Sequence, residues 1–461
     1  MLPNEHRFCR GCLEKQRRID ALEEQNARLR ARLRYQERTA KEGFFGASTP
    51  SSKIPVKPNS LEERQARRGG GKPGHVGHGR RALDPGEADQ TERCRTIDLC
   101  PDCGVPLRFH RLRRHSVIDC LPVRRCRRVL EIEEKFCPCC RRRFHARPAD
   151  VLPKALYGNQ LLALVAVEHY LDGLTLGYIE RQTGVPYSSL VQALHTLARL
   201  FDRVPERLLR LYRRAPVKHA DETGWRDDGR NGYAWLFCTP ALSIFRFRST
   251  RAGSVARDVF GAGRQGGTLV VDRYAGYNRY RGPIQYCYAH LSRDVEKLPV
   301  EFPQNQEIAR FTDALVPQLA AAMHLHAQPL TDAQYYQQAA AIKTPIVALI
   351  AASATHPAIQ NIQNIFREKA LRLYRWAADR RVPADNNRAE RELRPLVIAR
   401  KNSFGSQSPQ GAHTRETLMT VLHTLRKRKP QVTEAFKTAL DLLASNPALD
   451  PYDALFATDT S

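Results

Sequence analysis

The sequence contains no run of about 18 apolar residues, the length a helix needs to cross a bilayer. Its polar, cysteine-containing start has no apolar core of the kind a secretory signal uses. The expected compartment is therefore the cytoplasm, in association with the nucleoid. Acidic residues are in deficit: 48 stand against 74 Lys and Arg, giving a net charge of +26 and a pI near 9.9. A surplus of this size attracts polyanions, and nucleic acid is the leading partner. An anionic membrane surface is the weaker alternative, because no basic helix carries a strong apolar face; a merely basic protein with no polyanion partner is the bland one. Cysteine is nearly absent beyond residue 140, where only Cys238 and Cys287 occur, while ten of the twelve crowd the first 140 residues. In a reducing compartment such crowding points to metal binding rather than disulfides. There is also no internal repeat, and no Ser or Tyr constellation that would favour a covalent protein intermediate.

What is present divides the 461 residues into several segments. In residues 14–38, Ile19, Leu22, Asn26, Leu29 and Leu33 are spaced 3, 4, 3, 4, an a/d seam with Asn at an a position. That spacing fits a short dimeric coiled coil, or an amphipathic helix packed on its own chain. Residues 46–82 are rich in Pro, Ser, Gly and basic side chains, either a ribbon that follows a phosphate backbone or a solvated spacer. The segment around 176–200 has helix-turn-helix form. A first helix ends near Gln182, Thr183-Gly184-Val185 turn, and a second helix from Ser188 or Ser189 turns Leu190, Leu194 and Leu197 inward. Many helical hairpins of this form bind nothing. From residue 215 short apolar strands follow, then helices over 305–378, then a last helix after Pro383.

Two constellations carry chemistry. Cys100-Pro101-Asp102-Cys103 and Cys137-Pro138-Cys139-Cys140 are paired C-x-x-C knuckles, four thiolates of the kind a closed tetrahedral zinc site needs. The 33 residues between them exceed the usual ~15–20, but a β-hairpin through R-R-V-L-E-I-E-E-K-F fills the gap. Buried free thiols are the alternative, and Cys139 is a spare. Cys9 and Cys12 form a third knuckle with no evident partner pair. In the strand-rich half, Asp221 and Asp272 each end an apolar strand, at the rim of a sheet, and Glu390 lies on a helix. A lone strand-end Asp is more often a turn cap. Three carboxylates converging on one rim instead repel unless cations lie between them. Two Mg²⁺ ions ~4 Å apart, with Mn²⁺ as the substitute, would satisfy that and polarise both oxygens of an in-line phosphoryl transfer. Asn387 and Arg394 share the helix face of Glu390. His290 and Arg293 follow Cys287 and lie either near the scissile phosphate or in ordinary packing. Asn386 and Arg391 also adjoin Glu390. Glu222, Asp227, Asp228 and Asp385 are nearby acids outside the set, and Glu222 should face away from Asp221.

The strings D-E-T-G-W, V-V-D-R-Y-A-G-Y, C-Y-A-H-L-S-R-D and D-N-N-R-A-E-R-E-L-R-P resemble transposases of the insertion sequence sixty-six family. So do the S-S-K-x-P-V linker, the G-G-G-K-P-G-H-x-G-H ribbon, the C-P-D-C-G knuckle and K-N-S-F-G-S-Q-S-P-Q-G-A, from about residue 45 to 425. The resemblance implies a DDE-type, RNase H-like core with a helical insertion before the final acid, and it matches Asp221, Asp272 and Glu390 to the acidic triad. Cys94, Cys120 and Cys126 are not part of the pattern.

The expected fold is thus multidomain α+β. A coiled-coil helix (1–45), a basic linker (46–90), a four-cysteine zinc-binding domain (91–148) and a helix-turn-helix-like helical domain (150–210) lead into the RNase H-like catalytic core. The core (211–302 and 381–430) is interrupted by a helical insertion (303–380) and followed by a C-terminal tail (431–461). The expected function is metal-dependent cleavage of transposon ends and strand transfer into target DNA. Its partners are double-stranded DNA (terminal inverted repeats and target), a homodimer or higher synaptic assembly, and accessory transposon-encoded proteins. The rival readings are a non-catalytic zinc and helix-turn-helix DNA-binding regulator derived from a transposase, and a different RNase H-like nuclease.

Overall fold

A computed structural model describes residues 84–121, 124–263, 266–403 and 405–457, with separate positions between 15 and 30 that lie on a helix. The basic ribbon of 46–82, Leu33 and the Cys9/Cys12 knuckle lie outside the described residues. On the N-terminal helix, Ile19, Leu22 and Leu29 are exposed, and the Asn26 carboxamide accepts a hydrogen bond from Arg30 Nε at 3.1 Å.

The first sheet is a long twisted hairpin. β2 (Arg108–Leu121) and β3 (Arg124–Phe136) pair antiparallel, β1 (Gln90–Cys94) runs parallel to β3, and β4 (Arg143–His145) caps β3 on the same edge. Val117 and Leu130 pack with Val151 on one face, Val129 is buried on the other, and Arg113, Arg114 and Arg127 are exposed. The hairpin is rooted in the helical body. Asp119 accepts the Leu161 N–H at 3.0 Å and pairs with Arg128, which also bonds Glu92 and Asp150 at 2.7 and 2.5 Å. A Cβ at Gly158 would lie 1.8 Å from an Asp119 oxygen, so only glycine lets the chain pass there.

Four helices follow: α1 (Asn159–Tyr170), α2 (Leu176–Thr183), α3 (Tyr187–Leu200) and α4 (Val204–Arg214). Gly184, at φ 65°, closes α2 in the left-handed conformation, and Leu190, Leu194 and Leu197 of α3 are buried. The turn between α2 and α3 is where the residue pattern places it.

The second sheet has the order β7-β6-β5-β8-β9, made by β5 (Val217–Asp227), β6 (Arg230–Thr239), β7 (Leu242–Arg248), β8 (Thr268–Val271) and β9 (Ile284–Tyr286). The β5–β6–β7 meander is antiparallel, whereas β8 and β9 run parallel to β5. Helix α5 (Gly253–Phe260) connects the two parts. Beyond β9 come α6 (Tyr288–Glu296), α7 (Leu298–Glu301) and the antiparallel pair α8 (Gln306–Leu325) and α9 (Asp332–Ala351). Three shorter helices, α10 (Pro357–Glu368), α11 (Ala370–Leu373) and α12 (Arg375–Ala378), return the chain to the sheet.

Helix α13 (Asn387–Ser403) carries Glu390 and is not the last. α14 (Pro409–Arg428), α15 (Val432–Ser445) and α16 (Pro451–Phe456) follow, so the expected C-terminal tail is helical and packed, with Asp441 accepting from Asn159 at 2.8 Å. α14 is buried on every side from Thr414 to Leu425 and covers the edge strand β7. The outward N–H groups of Ser243, Phe245 and Phe247 donate to Thr424, Thr420 and Glu416 of α14 at 3.1, 3.0 and 2.9 Å. These acceptors recur every four residues, one helix face matched to every second strand residue. An edge that would otherwise expose unpaired donors is closed by side chains.

Among the described residues, no helix is long and apolar enough to cross a membrane.

Candidate functional site

The register of β5 and β8 positions the two aspartates. His219 lies opposite Val270 in a parallel pair, and two residues further on each chain stand Asp221 and Asp272. Neighbouring strands lie ~4.8 Å apart, so the carboxylates are side by side. Asp272 leaves the sheet just after β8, and its Oδ1 accepts the Tyr274 N–H at 3.0 Å, fixing the turn. Asp221 corrects the strand-end expectation: β5 continues to Asp227, paired with β6 throughout, and only its pairing with β8 stops before Asp221. The rim is made by the shorter strand.

Glu390 arrives from the first turn of α13. Asn386 docks that helix end: its carboxamide donates to the Ala220 carbonyl at 2.9 Å and meets His219 Nδ1 at 3.0 Å. Its backbone N–H donates to Cys287 Sγ at 3.1 Å. Asn386 therefore acts on the backbone beside Asp221 rather than on the Glu390 carboxylate. Burial pushes the Asp221 carboxyl well above its ordinary value, and the charges of Glu222, Asp272 and Glu390 push it further. The three acids share one electrostatic site.

On its open side, Glu390 Oε1 accepts from Arg293 at 3.2 Å and lies 3.6 Å from His290 Nδ1. That nitrogen is buried with no hydrogen-bond partner. Burial, and then Arg293, pulls the His290 pKa down. Asp272, His290 and Arg293 line a cleft of ≈ 240 Å³ with Arg273, Asp294 and Lys297. Arg273 pairs with Asp294, and Lys297 lies 3.8 Å from it. Asn387 opens α13 with its N–H on Asp385 at 2.9 Å, and Arg394 is exposed one turn past Glu390.

Glu222 is closer to the site than alternation along the strand suggests. It is held by Arg251, at 2.6 Å, and by the buried Tyr277 hydroxyl, yet it still raises the Asp221 pKa. Tyr277 and Arg251 carried no sequence signal, since they become neighbours only through α5 and the turn after β8. Cys287, His290 and Glu390 offer ligand atoms within 4.8 Å of one another, a third group that C-x-x-H alone does not reveal. Burial pushes the Cys287 thiol up to about 12, and its sulphur accepts the Asn386 N–H. The oxygen donors of Asp221, Asp272 and Glu390 fit a hard divalent cation better.

The second centre is the sulphur cluster. Cys100, Cys103, Cys137 and Cys140 place their sulphurs within 4.8 Å of one another. The pairs Cys100–Cys140 and Cys103–Cys137 are separated by 3.8 and 3.7 Å. Zinc–sulphur bonds of ~2.3 Å at tetrahedral angles require an edge of ~3.8 Å, so the donor set fits that ion. Both knuckles are one turn used twice. The Cys100 N–H bonds the Val105 carbonyl and the Cys137 N–H that of Arg142, each at 2.9 Å. Gly104 and Arg141, each just after a second ligand, have φ of 70° and 51°. Cys139 is exposed and outside the cluster; Cys94 ends β1 and Cys126 lies in β3.

An uncharacterized protein, y4qI, from Sinorhizobium fredii (strain NBRC 101917 / NGR234) is 27% identical over 320 residues, covering 60% of this chain. The chain spans 58% of the length of that curated relative. The family described as "Transposase IS66 family" matches residues 154–414, the stretch that holds both aspartates, Glu390 and the sheet between them. With more than half of its length matched, the chain belongs to the IS66 transposase family.

Proposed function

We propose that this protein is a DDE transposase whose second sheet is an RNase H-like catalytic core, cutting transposon ends and joining them to target DNA at Asp221, Asp272 and Glu390. The single observation that carries the reading is the β5–β8 register, which sets two aspartates side by side, with α13 bringing a glutamate to the same electrostatic site. The sheet order, three antiparallel strands continued by two parallel ones, supports the core assignment.

In this reading Asp221, Asp272 and Glu390 hold divalent cations, Mg²⁺ or Mn²⁺. Such ions, when bound, supply Lewis acidity to a phosphodiester and relieve the repulsion among the acids. The chain's own residues do the rest. Asn386 holds the α13 end against β5, which keeps Glu390 in register with the aspartates. Arg293 and His290 flank the Glu390 carboxylate, and Arg273 and Lys297 line the cleft where a phosphate would lie. Arg394, exposed one turn along α13, is available to the DNA backbone. The four-cysteine hairpin, held by zinc, and the α2–α3 pair would engage the transposon end, with outward arginines on the phosphates. Pairing of two ends would require a dimer or larger assembly, and accessory transposon-encoded proteins would join it.

The test uses the purified full chain with Mg²⁺ and labelled transposon-end duplex, beside Asp272→Asn. Wild type should nick the end and the variant should bind without nicking. Equal cleavage by both, or tight binding without cleavage by wild type, removes the enzymatic reading and leaves the DNA-binding regulator.

A further inference from the structure

A second cavity, of ≈ 470 Å³, lies away from the carboxylates, between the α2–α3 pair, the end of α13, residues 405–408 and the start of α14. Among the described residues, no Asp or Glu lines it. Arg415 does, although the residue is only 7% exposed. A guanidinium keeps its proton at neutral pH, so this is a charge taken out of water.

The neighbours of Arg415 stabilise that charge only in part. Its guanidinium lies over the Tyr170 and Trp225 rings, 5.1 and 5.3 Å from their centroids. Nη2 is 3.3 Å from His169 Nε2. The His169 pKa falls to about 3 through burial and then Arg415, so this imidazole is neutral and accepts through Nε2 while Nδ1 donates to the Leu174 carbonyl. Nη1 is buried with no partner. Buried arginines are ordinarily paired with carboxylates; the described lining of this cavity supplies none.

The backbone adds to the same preference. α14 runs for 20 residues from Pro409, and the N-terminal end of a long helix carries partial positive charge. Ser408 caps it, its hydroxyl accepting the Gly411 N–H at 3.1 Å. Gly411, Thr414 and Arg415 recur at helical spacing on the face that lines the cavity. A Cβ on Gly411 would meet nothing but the Ser408 hydroxyl, at 3.3 Å, so the backbone there is open to a ligand. The opposite wall, from α3, sets Leu194, Val191 and the exposed Tyr187 beside His195, whose Nδ1 lies 2.6 Å from Thr414 Oγ1.

We propose that this cavity is a phosphate-binding site, in which the unpaired edge of Arg415 and the first turn of α14 hold one phosphate group. The group is either a phosphodiester of a DNA strand lying along α3 or the phosphate of a small free molecule; both present the same oxyanion. The site does not depend on the carboxylates, so Asp272→Asn serves as a control with intact binding.

Inorganic phosphate is titrated calorimetrically into the full-length wild type, Asp272→Asn, Arg415→Gln and Ser408→Asp. Aspartate caps a helix as well as serine does, so Ser408→Asp keeps the fold while placing a negative charge at the cavity. Wild type and Asp272→Asn should bind alike, and both other variants should bind about tenfold or more weakly. In parallel, the salt dependence of duplex DNA binding is measured. A log–log slope shallower by ~1 in Ser408→Asp identifies a DNA phosphate as the ligand, whereas an unchanged slope with phosphate binding lost identifies a free phosphate compound. Equal phosphate binding by wild type and Ser408→Asp, or no phosphate binding by wild type with an unchanged DNA slope, overturns the proposal.

Discussion

The sulphur cluster and the carboxylate cleft are two candidate metal centres built on opposite plans. The cluster is complete within 41 residues, from Cys100 to Cys140, and one turn made twice delivers all four donors at tetrahedral spacing. The cleft draws one acid from mid-strand, one from a strand end and one from a helix start 118 residues further on. Its donors are bare oxygens; burial, and then neighbouring carboxylate charge, raises the Asp221 pKa, and His290 Nδ1 has no hydrogen-bond partner. A closed soft-ligand site holds a fold together, whereas an open hard-ligand site leaves room for a substrate.

The comparison breaks most visibly under metal removal. Chelation, or Cys137→Ser, should unfold the hairpin, because structural zinc contributes about 10 kcal/mol or more to such modules. The sheet bearing the acids should stay folded, read by two separate transitions in thermal denaturation. One joint transition would mean that the hairpin is not an independent unit. Next in size, Glu390→Gln should leave zinc content and stability nearly unchanged while strand cleavage falls by about 10³ or more, the several kcal/mol a lost metal ligand costs. Retained cleavage would place the third acid elsewhere.

A smaller effect separates docking from chemistry. Asn386→Ala removes bonds to Ala220 and His219 at a buried position, and should cost ~1–3 kcal/mol in urea unfolding as well as activity. Loss of activity alone would make Asn386 a group that touches substrate. A separate acid effect belongs to α14, where the His423 ring packs against Phe245 of β7. Burial lowers the pKa of His423 from 6.5 to about 3. A folded-state pKa below the unfolded one gives stability that is present above pH 6.5 and lost as pH falls toward 3. His423→Gln should flatten stability across that window.

The two centres were also unequally legible in the sequence. Four cysteines in two C-x-x-C pairs announce their partners by spacing, because the chain between them is one hairpin. The turn at Gly184 and the buried face of α3 follow from local periodicity in the same way. Asp221 and Asp272 stand out through the apolar strands before them, but the β5–β8 register that makes them neighbours is a long-range pairing. Glu390 would be one helical acid among several without the D-N-N-R-A-E-R resemblance. Arg415, Tyr277 and the closing of β7 by Glu416, Thr420 and Thr424 left no trace, since each depends on partners far away in the chain.

The central claim is that the three acids form one cation site, and Mn²⁺ binding to the zinc-loaded protein, followed by electron paramagnetic resonance, tests it most directly. Asp221→Asn, Asp272→Asn and Glu390→Gln should each weaken Mn²⁺ binding relative to wild type with zinc content unchanged. Wild-type Mn²⁺ affinity in Glu390→Gln would contradict a site completed from α13.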